Sequence, residues 1–102
     1  MFKLQPDATF TAVAQIPVAG QGTKPLTIEF KYHDRDALAR FFDSLSGRKD
    51  EDILADIVID WKDIDAAFDL GALGQLCKSY PGAAGAIVRK FLEEASGARA
   101  KN

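Results

Sequence analysis

An α+β fold, with an N-terminal antiparallel β-hairpin packed against three to four α-helices and a helical C-terminal half, is what the 102-residue sequence predicts. Three observations predict it. Two stretches near the N-terminus alternate apolar and polar residues with a period of two, and a glycine-containing cluster separates them. After residue 34 the apolar residues recur three and four positions apart, as on one face of a helix.

In residues 8–18, Phe10, Ala12, Ala14, Ile16 and Val18 fall on one face, while Thr9, Thr11, Val13 and Gln15 fall mostly on the other. Gly20-Gln21-Gly22-Thr23-Lys24-Pro25 reads as a turn, with glycines to reach positive φ and a proline to restart the chain. In residues 26–32, Leu26, Ile28, Phe30 and Tyr32 point inward and Thr27, Glu29 and Lys31 outward. Two strands alone are marginal in water, so the apolar face needs a cover. Residues 9–16 carry neither proline nor charge before Pro17, so this strand lacks the usual guards of a sheet edge and is expected to pair with another chain.

Asp34 is placed to cap a helix in which Leu38, Phe41, Phe42 and Leu45 form one stripe, and Ser46-Gly47 ends it. Arg48-Lys49-Asp50-Glu51-Asp52 is a solvated charge cluster. Residues 52–61 fit two readings. Ile53, Leu54, Ile57 and Val58 suit a helix, whereas the β-branched run Ile57-Val58-Ile59 suits a short strand. The helix is the preferred reading, up to about Val58, with an irregular exit through Trp61. Asp69 caps the next helix, which carries Leu70, Leu73, Leu76, Cys77 and Tyr80. Pro81 opens a last helix, with Ala84, Ile87, Val88, Phe91, Leu92 and Ala95 as its buried stripe and Gly97 as its end. Phe41, Phe42, Trp61, Tyr80 and Phe91 are expected in the core. The expected organisation is one domain over 1–102, with the hairpin at 8–32, the helical part at 34–97 and a short basic tail at 98–102.

Composition narrows the function. Hydrophobic residues at 47% and charged residues at 27% describe a globular chain, and the net charge of −2 supplies no basic face for nucleic acid. The single cysteine, Cys77, cannot form an internal disulfide and gives no zinc-site spacing. Met1 to Asp7 contains no long apolar run, so neither a signal peptide nor a membrane anchor is expected, and the chain reads as cytoplasmic.

Catalytic and ligand-binding patterns are thin. His33 stands beside Asp34 and Asp36 at a strand-to-helix junction with no serine or cysteine nucleophile near it in the pattern, and it reads as a structural or surface histidine. Cys77 lies on an apolar stripe with only Lys78 as a neighbouring cation, the setting of a core cysteine. Asp60, Asp63, Asp65 and Asp69 lack the spacing, glycine and closing glutamate of a calcium loop, so turn carboxylates and helix caps account for them. Neither Gly20-Gln21-Gly22 nor Gly82-Ala83-Ala84-Gly85 has the ending or context of a phosphate loop. No catalytic, cofactor-binding or metal site is expected. Trp61 has two readings, a core aromatic or a partly exposed interface anchor.

The succession Asp60-Trp61, Leu73, Leu76, Tyr80-Pro81, Ala83-Ala84, Ile87 and Phe91 resembles the tail assembly chaperones of siphovirus-like bacteriophages and prophages, those with long, non-contractile tails. The likeness runs well over residues 50–102 and in outline over the hairpin. It implies a non-enzymatic protein of the host cytoplasm, absent from the mature virion, that keeps the tape-measure protein soluble while the tail tube assembles. The major tail protein is a further partner under this reading. A small structural tail or head–tail joining protein is the alternative. The resemblance also implies a longer product made by ribosomal slippage near Lys101-Asn102, residues that a run of adenines ending in cytosine can encode. Candidate partner-binding residues are Trp61, Phe91, Leu92, Thr11 and Val13, with self-association through the hairpin edge.

Overall fold

The hairpin comes first in the chain and holds the two longest strands of the structure, a computed structural model that describes residues 1–97. The expectations for the basic tail and for Lys101-Asn102 lie outside the described residues. Strand β1 (Thr9–Val18) pairs antiparallel with β2 (Gly22–Lys31), in register from Thr9 opposite Lys31 to Val18 opposite Gly22. The turn closes with the Gln21 N–H donating to the Val18 carbonyl at 2.9 Å, and Gly20 and Gly22 take φ of 76° and 75°, where a side chain would be strained. Pro25 does not delay the second strand, because it stands opposite Gln15 at a position that owes β1 no N–H.

A third strand corrects the reading of residues 52–61. Helix α2 is short (Asp50–Ala55), and β3 (Val58–Lys62) follows at once, antiparallel to β2 in the order β1-β2-β3. Two forces decide against the longer helix. The β-branched Ile57-Val58-Ile59 run favours a pleated backbone, and the open edge of β2 offers it hydrogen bonds that a helix exit would lack. The Lys31 N–H donates to the Ile57 carbonyl at 2.8 Å, and pairing runs on to Thr27 opposite Lys62, with an irregularity between Glu29 and Phe30. One of the hairpin's two edges is thereby covered.

The remaining helices follow their signals. Asp34 caps α1 (Arg35–Asp43) by accepting from the Ala37 N–H at 2.8 Å, and Asp69 caps α3 (Leu70–Ser79) by accepting from the Ala72 N–H at 2.7 Å. Helix α4 (Ala83–Ser96) starts two residues later than Pro81 suggested, because Pro81 and Gly82 are spent on a turn in which the Ala83 N–H donates to the Tyr80 carbonyl. It ends at Gly97 in the left-handed region.

One core joins these pieces. α4 lies across the inner face of β1, and α3 packs on α2. Ala14, Ile16, Ile28 and Phe30 from the sheet meet Leu54, Ile57, Leu73, Ile87 and Phe91 from below. At one end Phe10, Phe30, Phe41 and Phe91 form an aromatic cluster, with Phe30 and Phe91 5.6 Å apart and Phe41 edge-on to Phe91 at 5.5 Å. Such pairs add about 0.5–1.5 kcal/mol each beyond their burial.

Three aromatics expected in this core are not in it. Phe42 is 52% exposed, because α1 reaches the core with Phe41 and its neighbouring residue points away. Tyr32 is exposed just past the end of β2, and His33 instead closes the aromatic cluster, edge-on to Phe91 at 5.1 Å. Tyr80 leaves α3 as its C-cap and remains 38% exposed.

Candidate partner-binding surface

The sheet has two edges, and they are not alike. β3 is five residues long and carries Asp60 and Lys62. β1 is ten residues long, contains no charged residue, and pairs on one side only among the described residues. The phase of its ladder fixes which groups face outward. The Tyr32 N–H donates to the Ala8 carbonyl at 2.9 Å, so the even-numbered residues exchange hydrogen bonds with β2. Thr9, Thr11, Val13 and Gln15 therefore turn both N–H and C=O to the free edge, and Pro17 turns only its C=O there. The missing N–H of Pro17 ends the run at the hairpin end.

The flanks of this edge are polar. Gln15 borders a shallow hollow of about 180 Å³ whose other walls are Ala86, Arg89, Lys90 and Glu93 of α4. Lys90 and Glu93 pair at 3.2 Å. On the outer sheet face Thr11, Val13 and Gln15 are exposed, and beyond them come Thr27, Glu29, Asp60 and Lys62. Val13 is the one large apolar side chain exposed on this strand.

The other candidate residues lie inward. Trp61 is 6% exposed, with its Nε1–H donating to the Ala66 carbonyl at 2.8 Å and its ring edge-on to Phe68. Phe91 is fully buried in the aromatic cluster, and Leu92 is half-buried against the core. Thr11 and Val13 thus share one surface with each other, and not with Trp61, Phe91 or Leu92. The alternation pattern carried enough signal to find Thr9 and Gln15 as well, since every odd-numbered residue of β1 repeats the outward phase.

Residues weighed for chemistry are held in local structure. His33 Nδ1 lies 3.2 Å from the Lys31 carbonyl, with Phe41 and Phe91 against the ring. Asp60 accepts from the Trp61 N–H, and Asp63, at φ 63°, accepts from the Thr27 hydroxyl. Burial, reinforced by Asp50 and Glu51, pushes the Cys77 thiol up to about 11, so little of it is thiolate near neutral pH. Arg48 spans α1 and α2, donating to Asp56 at 2.7 Å, to the Ser44 hydroxyl at 3.2 Å and to the Asp52 carbonyl at 3.0 Å. The Asp56 hydrogen bond holds the Arg48 pKa above its ordinary value, against partial desolvation. Among the described residues no helix is long and apolar enough to cross a membrane, and no three His, Cys, Asp or Glu side chains gather as metal ligands.

Comparison with known proteins gives one match. The family described as phage tail assembly chaperone matches residues 1–102. No curated protein and no solved structure matches the chain. The match spans the whole sequence, and the chain belongs to the phage tail assembly chaperone family.

Proposed function

From that membership, we propose that the chain binds the tape-measure protein stoichiometrically and keeps it soluble while the tail tube polymerises, without chemistry of its own. Its place of action under this reading is the host cytoplasm, and the protein leaves before the virion is complete. A tape measure not yet enclosed by its tube exposes apolar surface, and a chaperone needs a complementary surface kept in solution by charge. The observation that carries this reading beyond the family's description is the unguarded β1 edge, with outward backbone groups from Thr9 to Gln15 beside the charged side chains of α4. Strand addition at such an edge draws affinity from main-chain hydrogen bonds and selectivity from the alternate side chains, here Thr11 and Val13. We assign the edge to self-association or to an extended partner segment. Trp61, Phe91 and Leu92 act from within, by holding β3 and α4 in place.

Co-expression with the tape-measure protein of the same phage tests the proposal. The expected result is more soluble tape measure, a complex recovered by affinity capture, and no copy of this chain in finished virions. Finding the chain as a stable virion component would instead make it a structural tail or joining protein. The major tail protein, expressed in the same way, shows whether it is a further partner.

A further inference from the structure

An arm precedes the sheet. Residues 1–7 add no strand to the hairpin, and Phe2 and Leu4 are 93% and 95% exposed. Large apolar side chains so fully solvated within one short segment are a contiguous liability unless something covers them. Phe2 and Leu4 alternate with Lys3, so an extended arm presents both on one side. In the structure the free arm bends at Leu4 and Gln5 and brings Lys3 onto Asp7, so docking requires it to straighten, which Pro6 favours by biasing Gln5 away from the helical region.

A receptor of matching character lies at the far end of the sheet. Two adjoining hollows, about 140 and 210 Å³, share Ile64, Leu76 and Tyr80 as common walls and meet between the hairpin tip and the end of α3. Each is smaller than the roughly 300–1,000 Å³ usual for small-molecule sites. Their rim carries Asp63 and Asp65, with Lys24 as the cation. Among the described residues Lys3 of the arm pairs only with exposed Asp7 of the same arm, a contact of little strength that a rim carboxylate can replace.

Reach decides whose groove the arm can enter. The hollows begin at Ile16, seven residues along β1 from Thr9, or about 24 Å. Leu4 stands five residues before Thr9 and extends at most about 18 Å from it. Phe2 would arrive only if the chain ran straight back with no turn at Pro6-Asp7-Ala8. The arm is therefore too short to seat Leu4 in its own groove.

We propose that the arm of one copy docks Phe2 and Leu4 into the Ile64–Leu76–Tyr80 groove of a second copy, with Lys3 facing Asp63 and Asp65. This contact is separate from the β1 edge and does not depend on which face holds the tape measure.

Cross-linking tests it directly. One chain carries Leu4→Cys and another Ser79→Cys, both in a Cys77→Ala background, and the two are mixed and oxidised. Ser79 lines the groove at its surface, and Leu4 touches no core residue, so neither change disturbs the fold. A disulfide-linked heterodimer joining the two positions is expected. No cross-link, or a single chain bearing both cysteines that closes only on itself, overturns the proposal. In sedimentation, Phe2→Ser with Leu4→Ser should weaken self-association about a hundredfold, the consequence of losing two large buried apolar side chains. The same measurement in a Val13→Pro background separates the arm from pairing at the β1 edge. Self-association unchanged by the arm variant in both backgrounds also overturns the proposal.

Discussion

Gly82 and Pro17 touch so closely that a β-carbon added to Gly82 would lie 2.9 Å from Pro17 Cγ and 3.2 Å from its Cβ. The turn between α3 and α4 is thereby pressed onto the hairpin end of β1, and this contact helps to set where α4 begins its path across the strand. Gly82 has φ of −86°, which any residue adopts, so glycine is required here for space and not for conformation.

Gly82→Ala should therefore destabilise the protein by about 1–3 kcal/mol through overpacking, despite the smaller gain from a stiffer unfolded chain. Urea denaturation followed by circular dichroism measures it. A neutral or stabilising result would mean that the Pro17 ring yields freely.

Trp61→Ala should cost about 3–5 kcal/mol, because it empties a core position and leaves the Ala66 carbonyl without its indole donor. Equilibrium unfolding of the variant checks this. Stability close to that of the native chain, together with lost tape-measure binding, would move Trp61 from core to interface.

Val13→Pro should leave the hairpin intact, since residue 13 gives β2 no hydrogen bond, yet remove an outward N–H from the middle of the β1 edge. The expected outcome is an unchanged far-ultraviolet spectrum with self-association or partner capture reduced. Loss of folding would show that the ladder phase is wrong, and full retention of both interactions would free the edge from any role.

Cys77 makes a prediction about alkaline pH. Its thiol holds its proton up to about 11 in the folded chain, against a reference of 9.0, chiefly because of burial and then because of Asp50 and Glu51. Between these values the unfolded chain ionises first, so stability from this group is whole below 9.0 and is lost as pH rises through about 11. The native chain should thus lose more stability over that interval than Cys77→Ala, as read from paired denaturation midpoints. Equal losses would remove the assignment. Glu51→Gln should bring the folded thiol's titration to lower pH, as followed by its ultraviolet absorbance.

What the sequence revealed and what it hid can be traced to particular residues. The hairpin was legible because a period of two leaves one reading for Ala14, Ile16, Leu26 and Ile28, and the caps were legible because Asp34 and Asp69 act on residues three positions away. Local chemistry decides such features. β3 was not, because Ile57-Val58-Ile59 satisfies two periodicities and only the open edge of β2, distant in sequence, chooses between them. The same holds for Phe42 and Tyr80, whose spacing is correct but whose helices stop short of the core on that side. At the binding surface, Thr11 and Val13 could be read as outward-facing, but the groove at Ile64, Leu76 and Tyr80 joins three segments and leaves no pattern in any one of them.

The contact between Phe10 and Phe91, 6.1 Å between ring centres, joins a residue of β1 to one synthesised much later. At translation rates of about 5–20 residues per second, roughly 4–16 s pass between them. Through that interval β1 emerges and pairs with β2, β3 then adds to the far edge of β2, and β1 still lacks the helix that covers its inner face. Order of synthesis and order of burial run in opposite directions for this strand. The nascent chain consequently carries Phe10, Ala14 and Ile16 uncovered beside an open edge, and its native packing is committed only when α4 leaves the ribosome.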